Sequence, residues 1–148
     1  SDPLMNPSFQ ETVRDICKKD TRYHPDAYEF IVEALDVTVK KLNRCQSGHH
    51  PRHVTGQELL EGIKEFALDE FGPLAFTVFS EWGIHTTEDF GEIVFNLVDA
   101  GRLGKTESDS RDDFKRVYDF NDVFVKPYEP RATTPAPRSS ARRRKREA

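Results

Sequence analysis

Cys45, His49, His50 and His53 are the residues of this chain that come nearest to a metal site. Zinc takes thiolate and imidazole ligands, but structural sites repeat them at short, regular spacings on a turn that wraps the ion. Cys-x3-His-His-x2-His has no such repeat, and Ser47-Gly48 and Pro51 mark the segment as a polar loop. The histidines therefore read as solvated loop residues, and neither a metal nor a cofactor is expected.

The second candidate chemistry is phosphate contact through Arg142, Arg143, Arg144, Lys145 and Arg146, a mode that is independent of base sequence and weakened by salt. The third is acid catalysis. Glu58, Glu61, Glu65, Asp69, Glu88, Asp89 and Glu92 are abundant, yet carboxylates at helical spacing form a solvated face, and no nucleophile or base is paired with them. No dinucleotide fingerprint, P-loop, nucleophile elbow or H-E-x-x-H motif occurs, so no enzymatic activity is expected.

The elements that must carry these residues are mostly helices. Ser8 and Glu11 form a capping-box pattern, and Phe9, Val13, Ile16 and Cys17 fall on one face, which predicts a helix over 9–19. Pro25 suits the first position of a second helix, which presents Ala27, Phe30, Ile31, Ala34, Leu35, Thr38 and Leu42 and ends near Asn43. The strand propensity of Val37-Thr38-Val39 opposes that assignment. Thr55 and Glu58 make a second capping box ahead of a helix that Gly72-Pro73 stops. Pro73 opens a short helix that Gly83 ends, and Thr86 or Thr87 caps a further one that runs to Gly101.

After Gly101, Leu103 and 117–120 are expected to pair as two short strands around a polar wing. Residues 55–120 thus read as a winged helix-turn-helix. The expected fold class is mainly α, with about five helices, a small β-hairpin wing and a disordered C-terminal tail. The expected organisation is a flexible N-terminus over 1–7, one domain over 8–126 and a basic tail over 127–148. Trp82 and the phenylalanines keep helical register with the aliphatic residues and are assigned to the core.

Charge separates this architecture from its usual function. A DNA-reading second helix presents Arg, Lys, Asn or Gln to the major groove. Residues 88–100 instead hold Glu88, Asp89, Glu92 and Asp99, no Lys or Arg, and Asn96 as the one base reader. Residues 1–126 carry 24 acidic against 15 basic side chains, so the body repels phosphate, and nucleic acid is left to the tail. Two cysteines are too few for a disulfide framework, and no apolar run or signal-like N-terminus is visible, so a cytoplasmic setting without a membrane partner is expected.

Tyr23-His24-Pro25-x-Ala27-Tyr28, the run 52–63, Phe71-Gly72-Pro73-Leu74-Ala75 and the run 82–98 together resemble an uncharacterised bacterial family, the Minf-type proteins. That resemblance covers about residues 9–124 and implies one cytoplasmic domain with no assigned activity or site. The functional expectation is a non-catalytic interaction or regulatory module whose acidic body binds a protein. The alternative is a nucleic-acid-associated protein that contacts phosphate through its tail.

Overall fold

The computed structural model describes residues 8–45, 54–104 and 110–130. Five helices make up most of it: α1 (Phe9–Lys19), α2 (Pro25–Cys45), α3 (Gly56–Phe71), α4 (Ala75–Glu81) and α5 (Thr87–Asp99). A 3-10 turn, Gly72–Leu74, joins α3 to α4, and Arg111–Phe114, Asn121–Val125 and Lys126–Tyr128 form further 3-10 or π turns after α5. Cys45, His49, His50 and His53 lie outside the residues whose side chains are described, as do Arg142, Arg143, Arg144, Lys145 and Arg146.

The helix boundaries follow the local signals. The Ser8 hydroxyl accepts from the Glu11 N–H (3.1 Å) while the Glu11 carboxylate accepts from the Ser8 N–H (2.9 Å), and Thr55 with Glu58 repeats this reciprocity at α3. Gly72, Gly83 and Gly101 all have positive φ, at 52°, 85° and 79°. At Gly83 a second requirement joins the first: a Cβ there would run into the carbonyl of Arg22. That close approach lets the His24 N–H donate to the Trp82 carbonyl at 3.1 Å, tying the α1–α2 turn to the end of α4.

α2 and α3 pack antiparallel, with Phe30 stacked on Phe71 (5.5 Å) at one end and Lys41 paired with Glu65 (3.1 Å) toward the other. Gly62 faces Thr38 so closely that any side chain at 62 would strike its hydroxyl. The β-branched run 37–39 is helical after all. Thr38 is buried and satisfies its hydroxyl by donating to the Ala34 carbonyl (2.7 Å), so packing overrides strand propensity. Around Phe79, fully buried, the rings of Phe30, Phe71, Trp82, Phe90, Phe120 and Phe124 lie 5.2–6.4 Å away. Most of these rings meet Phe79 edge to face, the arrangement the ring quadrupole favours.

The expected wing is corrected. Among the described residues there is no strand, and neither Leu103 nor 117–120 forms a hairpin. The polar groups such a hairpin would need are used elsewhere. The buried Thr87 hydroxyl donates to the Phe114 carbonyl (2.7 Å) and accepts from the Val117 N–H (3.2 Å), and the Lys115 N–H donates to the Asp112 carbonyl (3.1 Å). Phe114 enters the space left by Gly56 and Gly91 and meets Phe95 edge to face at 6.1 Å. The segment is therefore a strap across α3 and α5 and leaves no wing. The turn Lys126–Tyr128 continues regular structure two residues past the expected boundary at 126.

Candidate functional site

Two regions of the surface bear on function, and both are built from carboxylates. The first is the face of α5 that reads as the recognition helix of a helix-turn-helix. Asp89, Glu92 and Asn96 lie at i, i+3 and i+7, hence on one side of the helix. That side faces the turn between α1 and α2, where Asp20 caps α1.

Arg22 donates from Nε and Nη2 to the two carboxylate oxygens of Asp20 (2.9 and 2.7 Å), and the Arg22 N–H reaches Asp20 Oδ1 as well (3.1 Å). The same Nη2 extends to Glu92 Oε1 at 3.1 Å, while the other oxygen of Glu92 accepts from Arg111 Nε at 3.0 Å. Glu92 thus bridges the α1–α2 turn and the strap. Asn96 Nδ2 donates to Asp20 (2.9 Å) and to the Tyr28 hydroxyl (3.0 Å). Asp89 accepts from the Tyr23 hydroxyl (2.6 Å) and from the N–H groups of His85 (2.8 Å) and Thr86 (3.1 Å).

These bonds decide what the face can do. The Arg22 guanidinium holds the Asp20 carboxyl well below the usual carboxylate range, with Asn96 acting in the same sense against the cost of burial. Burial, then the bond to Asp89, pushes the Tyr23 phenol far up, and burial takes Tyr28 to about 12. Each group is held in the protonation state its partner requires. Asn96, the one residue of this helix suited to reading a base, has its amide committed to Asp20 and Tyr28. The periodicity of 89, 92 and 96 was legible in the sequence; that Arg22 and Asp20 would meet it was not.

Beside this network two clefts of about 480 and 450 Å³ open against the α1–α2 turn, and Cys17 lines both. Its thiol lies 3.7 Å from the Tyr23 carbonyl, and burial, with Asp20 adding to it, raises its pKa. A thiol kept protonated is a poor nucleophile, so neither cleft gains covalent chemistry from it. Among the described residues no group of His, Cys, Asp and Glu is arranged to hold a metal ion.

The second region is the corner between α3 and α4. Leu74 is 62% exposed and Phe76 38%. Phe71 and Trp82, half-buried and 5.8 Å apart, pack against the aromatic core. Asp69, Glu70 and Glu81 are all exposed, and none makes an ion pair or side-chain hydrogen bond among the described residues; Glu81 lines the cleft that Arg22 and Trp82 also line. Asp69 and Glu70 occupy the last turn of α3 and Glu81 that of α4, where the partial negative charge of the helix end disfavours an anion. Charge-counting in the sequence places these acids with those of α5; the structure separates the two groups.

Among the described residues no helix is long and apolar enough to cross a membrane. No family model, curated protein or solved structure matches the chain.

Proposed function

We propose that the chain is a non-catalytic interaction module whose helical, acidic body binds a basic protein partner. The observation that carries this reading is the division among its carboxylates. Asp20, Asp89 and Glu92 are spent on internal bonds, whereas Asp69, Glu70 and Glu81 have no such use among the described residues and lie exposed. Surface charge without an internal partner is available for electrostatic complementarity, which sets partner choice and encounter rate. The resemblance to the Minf-type proteins fits one such domain and transfers no site.

Capture from a lysate with the full chain, and with a variant ending at residue 130, is expected to retain the same basic protein on both. Recovery of background proteins alone would remove the reading. A second reading rests on the five-residue basic run from Arg142 to Arg146, which could contact nucleic-acid phosphate. It predicts binding to mixed-sequence DNA or RNA at low salt that disappears when residues 130–148 are deleted.

A further inference from the structure

We infer that the larger cleft, between α1 and α2, is a self-association surface whose occupant is the same cleft of a second copy of this chain, apposed about a two-fold axis. The inference goes beyond the interaction-module reading and does not depend on it.

The cleft has an apolar floor and two walls of opposite charge. Phe9, Val13 and Cys17 recur at i, i+4 and i+8 along α1 and line the floor, Val13 buried and the other two half-buried. Arg14 and Lys18 line it from α1, Asp26 and Glu29 from the start of α2, and all four are exposed. No ion pair joins the two walls. Arg14 and Glu29 make no ion pair or side-chain hydrogen bond among the described residues. Lys18 reaches Asp15 at 4.0 Å with side chains 71% and 69% exposed, and Asp26 lies 3.7 Å from His24 Nδ1. Contacts this long and this solvated hold their side chains weakly, so the four charges are available to a partner.

The walls match their own rotated copy. Lys18 and Asp26 lie nearest the turn that joins the two helices, and Arg14 and Glu29 lie one helical turn further from it. A two-fold axis running along the cleft lays the α1 wall of one copy on the α2 wall of the other. Lys18 then meets Asp26 of the second copy and Arg14 meets Glu29, each twice, because an isologous contact repeats every pair. The apolar floors close on one another between them.

The chemistry discriminates between occupants. A partner of a single charge sign is repelled by one wall: a basic helix by Arg14 and Lys18, an acidic segment or a nucleic acid by Asp26 and Glu29. The basic run 142–146 of the chain itself meets the same objection. Small-molecule pockets fix their ligand with polar groups that converge inside, whereas here the polar groups stand on an exposed rim around an apolar floor, as they do where proteins meet. The four wall charges also cancel, within residues 1–126 that carry 24 acidic against 15 basic side chains. Two acidic bodies can approach at this cleft without like charge facing like charge.

Sedimentation equilibrium of the full chain is expected to show a reversible monomer–dimer equilibrium, weak as small interfaces are. Asp26→Lys/Glu29→Lys should weaken the dimer about 100-fold, since it turns four attractive pairs, each worth up to about fivefold, into repulsive ones. The direction is diagnostic. Two acids become two bases, a change of four that takes the formal net charge from −4 to zero, and repulsion between whole bodies alone would then tighten association. Arg14→Glu/Lys18→Glu should weaken the dimer as well, and an equimolar mixture of the two reversed chains should recover it as a heterodimer with all four pairs restored. Should a reversed chain not fold by circular dichroism, the neutral variant Asp26→Asn/Glu29→Gln should still weaken the dimer about tenfold. Asp36→Lys, further along α2, should not weaken it.

A chain that stays monomeric at millimolar concentration overturns the proposal, and so does a dimer that the reversed chains retain. Two folded reversed chains that do not associate with each other overturn it too. A dimer that forms only after residues 1–7 are removed would make that segment, with its Leu4-Met5, the occupant of the cleft in place of a second copy. None of these outcomes touches the basic protein partner, which capture from a lysate reads separately.

Discussion

The face of α5 and the corner between α3 and α4 hold the same kind of side chain and use it in opposite ways. On α5, Asp89 and Glu92 accept bonds from Tyr23, Arg22 and Arg111, and Asn96 joins Asp20 to Tyr28. On the last turns of α3 and α4, Asp69, Glu70 and Glu81 sit exposed on helix ends that repel them. A carboxylate with several internal donors is part of the fold; one set against its own helix dipole contributes nothing to stability that would explain it. Formal charge is therefore a poor guide to the surface a protein offers, because part of it is neutralised inside.

The contrast can be broken most severely from beneath. Phe79→Ala removes the ring on which Phe30, Phe71, Trp82, Phe90, Phe120 and Phe124 converge, and should cost about 3–5 kcal/mol. Chemical denaturation measures it, and a loss under about 1 kcal/mol would mean that the aromatic cluster repacks freely. Both regions should loosen together, since Phe79 floors both.

The α5 network comes next. Asn96→Ala leaves Tyr28 and one oxygen of Asp20 without their shared donor, a loss of roughly 1–3 kcal/mol for a buried phenol and a half-buried carboxylate. If Asn96 were instead a free surface residue, the substitution would fall within about 0.5 kcal/mol.

The same network sets a pH dependence. The pKa of Asp20 is lower in the folded chain than its unfolded value of about 3.9, so its stabilisation is present above that value and is lost as pH falls through the folded pKa. The urea midpoint should drop on acidification, and Asp20→Asn should flatten that drop while lowering stability at neutral pH. Tyr28, raised to about 12, contributes on the other side: its share is present below the unfolded value of about 10 and is lost as pH rises toward 12. Tyr28→Phe should reduce the alkaline loss.

The smallest effects belong to the corner, and their sign is the informative part. Asp69→Asn and Glu70→Gln should each raise stability by about 0.3–1 kcal/mol by removing an anion from the α3 carbonyl end. Leu74→Ser should stay within about 0.5 kcal/mol, because its side chain is mostly in water already. Thermal melts that showed these substitutions to be destabilising would return the corner to the fold and erase the contrast.

Much of the helical layout could be read directly. Ser8 with Glu11 and Thr55 with Glu58 cap within three residues, and Gly72, Gly83 and Gly101 stop helices through their own backbone freedom. The wing failed because a run such as 117–120 shows only that a strand is permitted. Whether it pairs depends on where its polar groups find partners, and Thr87, 27 residues before Phe114 and 30 before Val117, took two of them. Ser110 with Asp113 was a usable signal for a turn in its place: the Asp113 carboxylate accepts from the Ser110 N–H at 3.2 Å.

What the sequence determined by itself is the set of helices and the sign of the body's charge, since capping, periodicity and composition act over a few residues or over none. Which carboxylates remain available was decided by the tertiary structure alone. The bonds that consume Asp89, Glu92 and Asn96 span 66, 70 and 76 residues, and a contact at that separation exists only once the helices between have packed. Asp69, Glu70 and Glu81 stay exposed for the same reason, because the fold pairs no cation among the described residues with them.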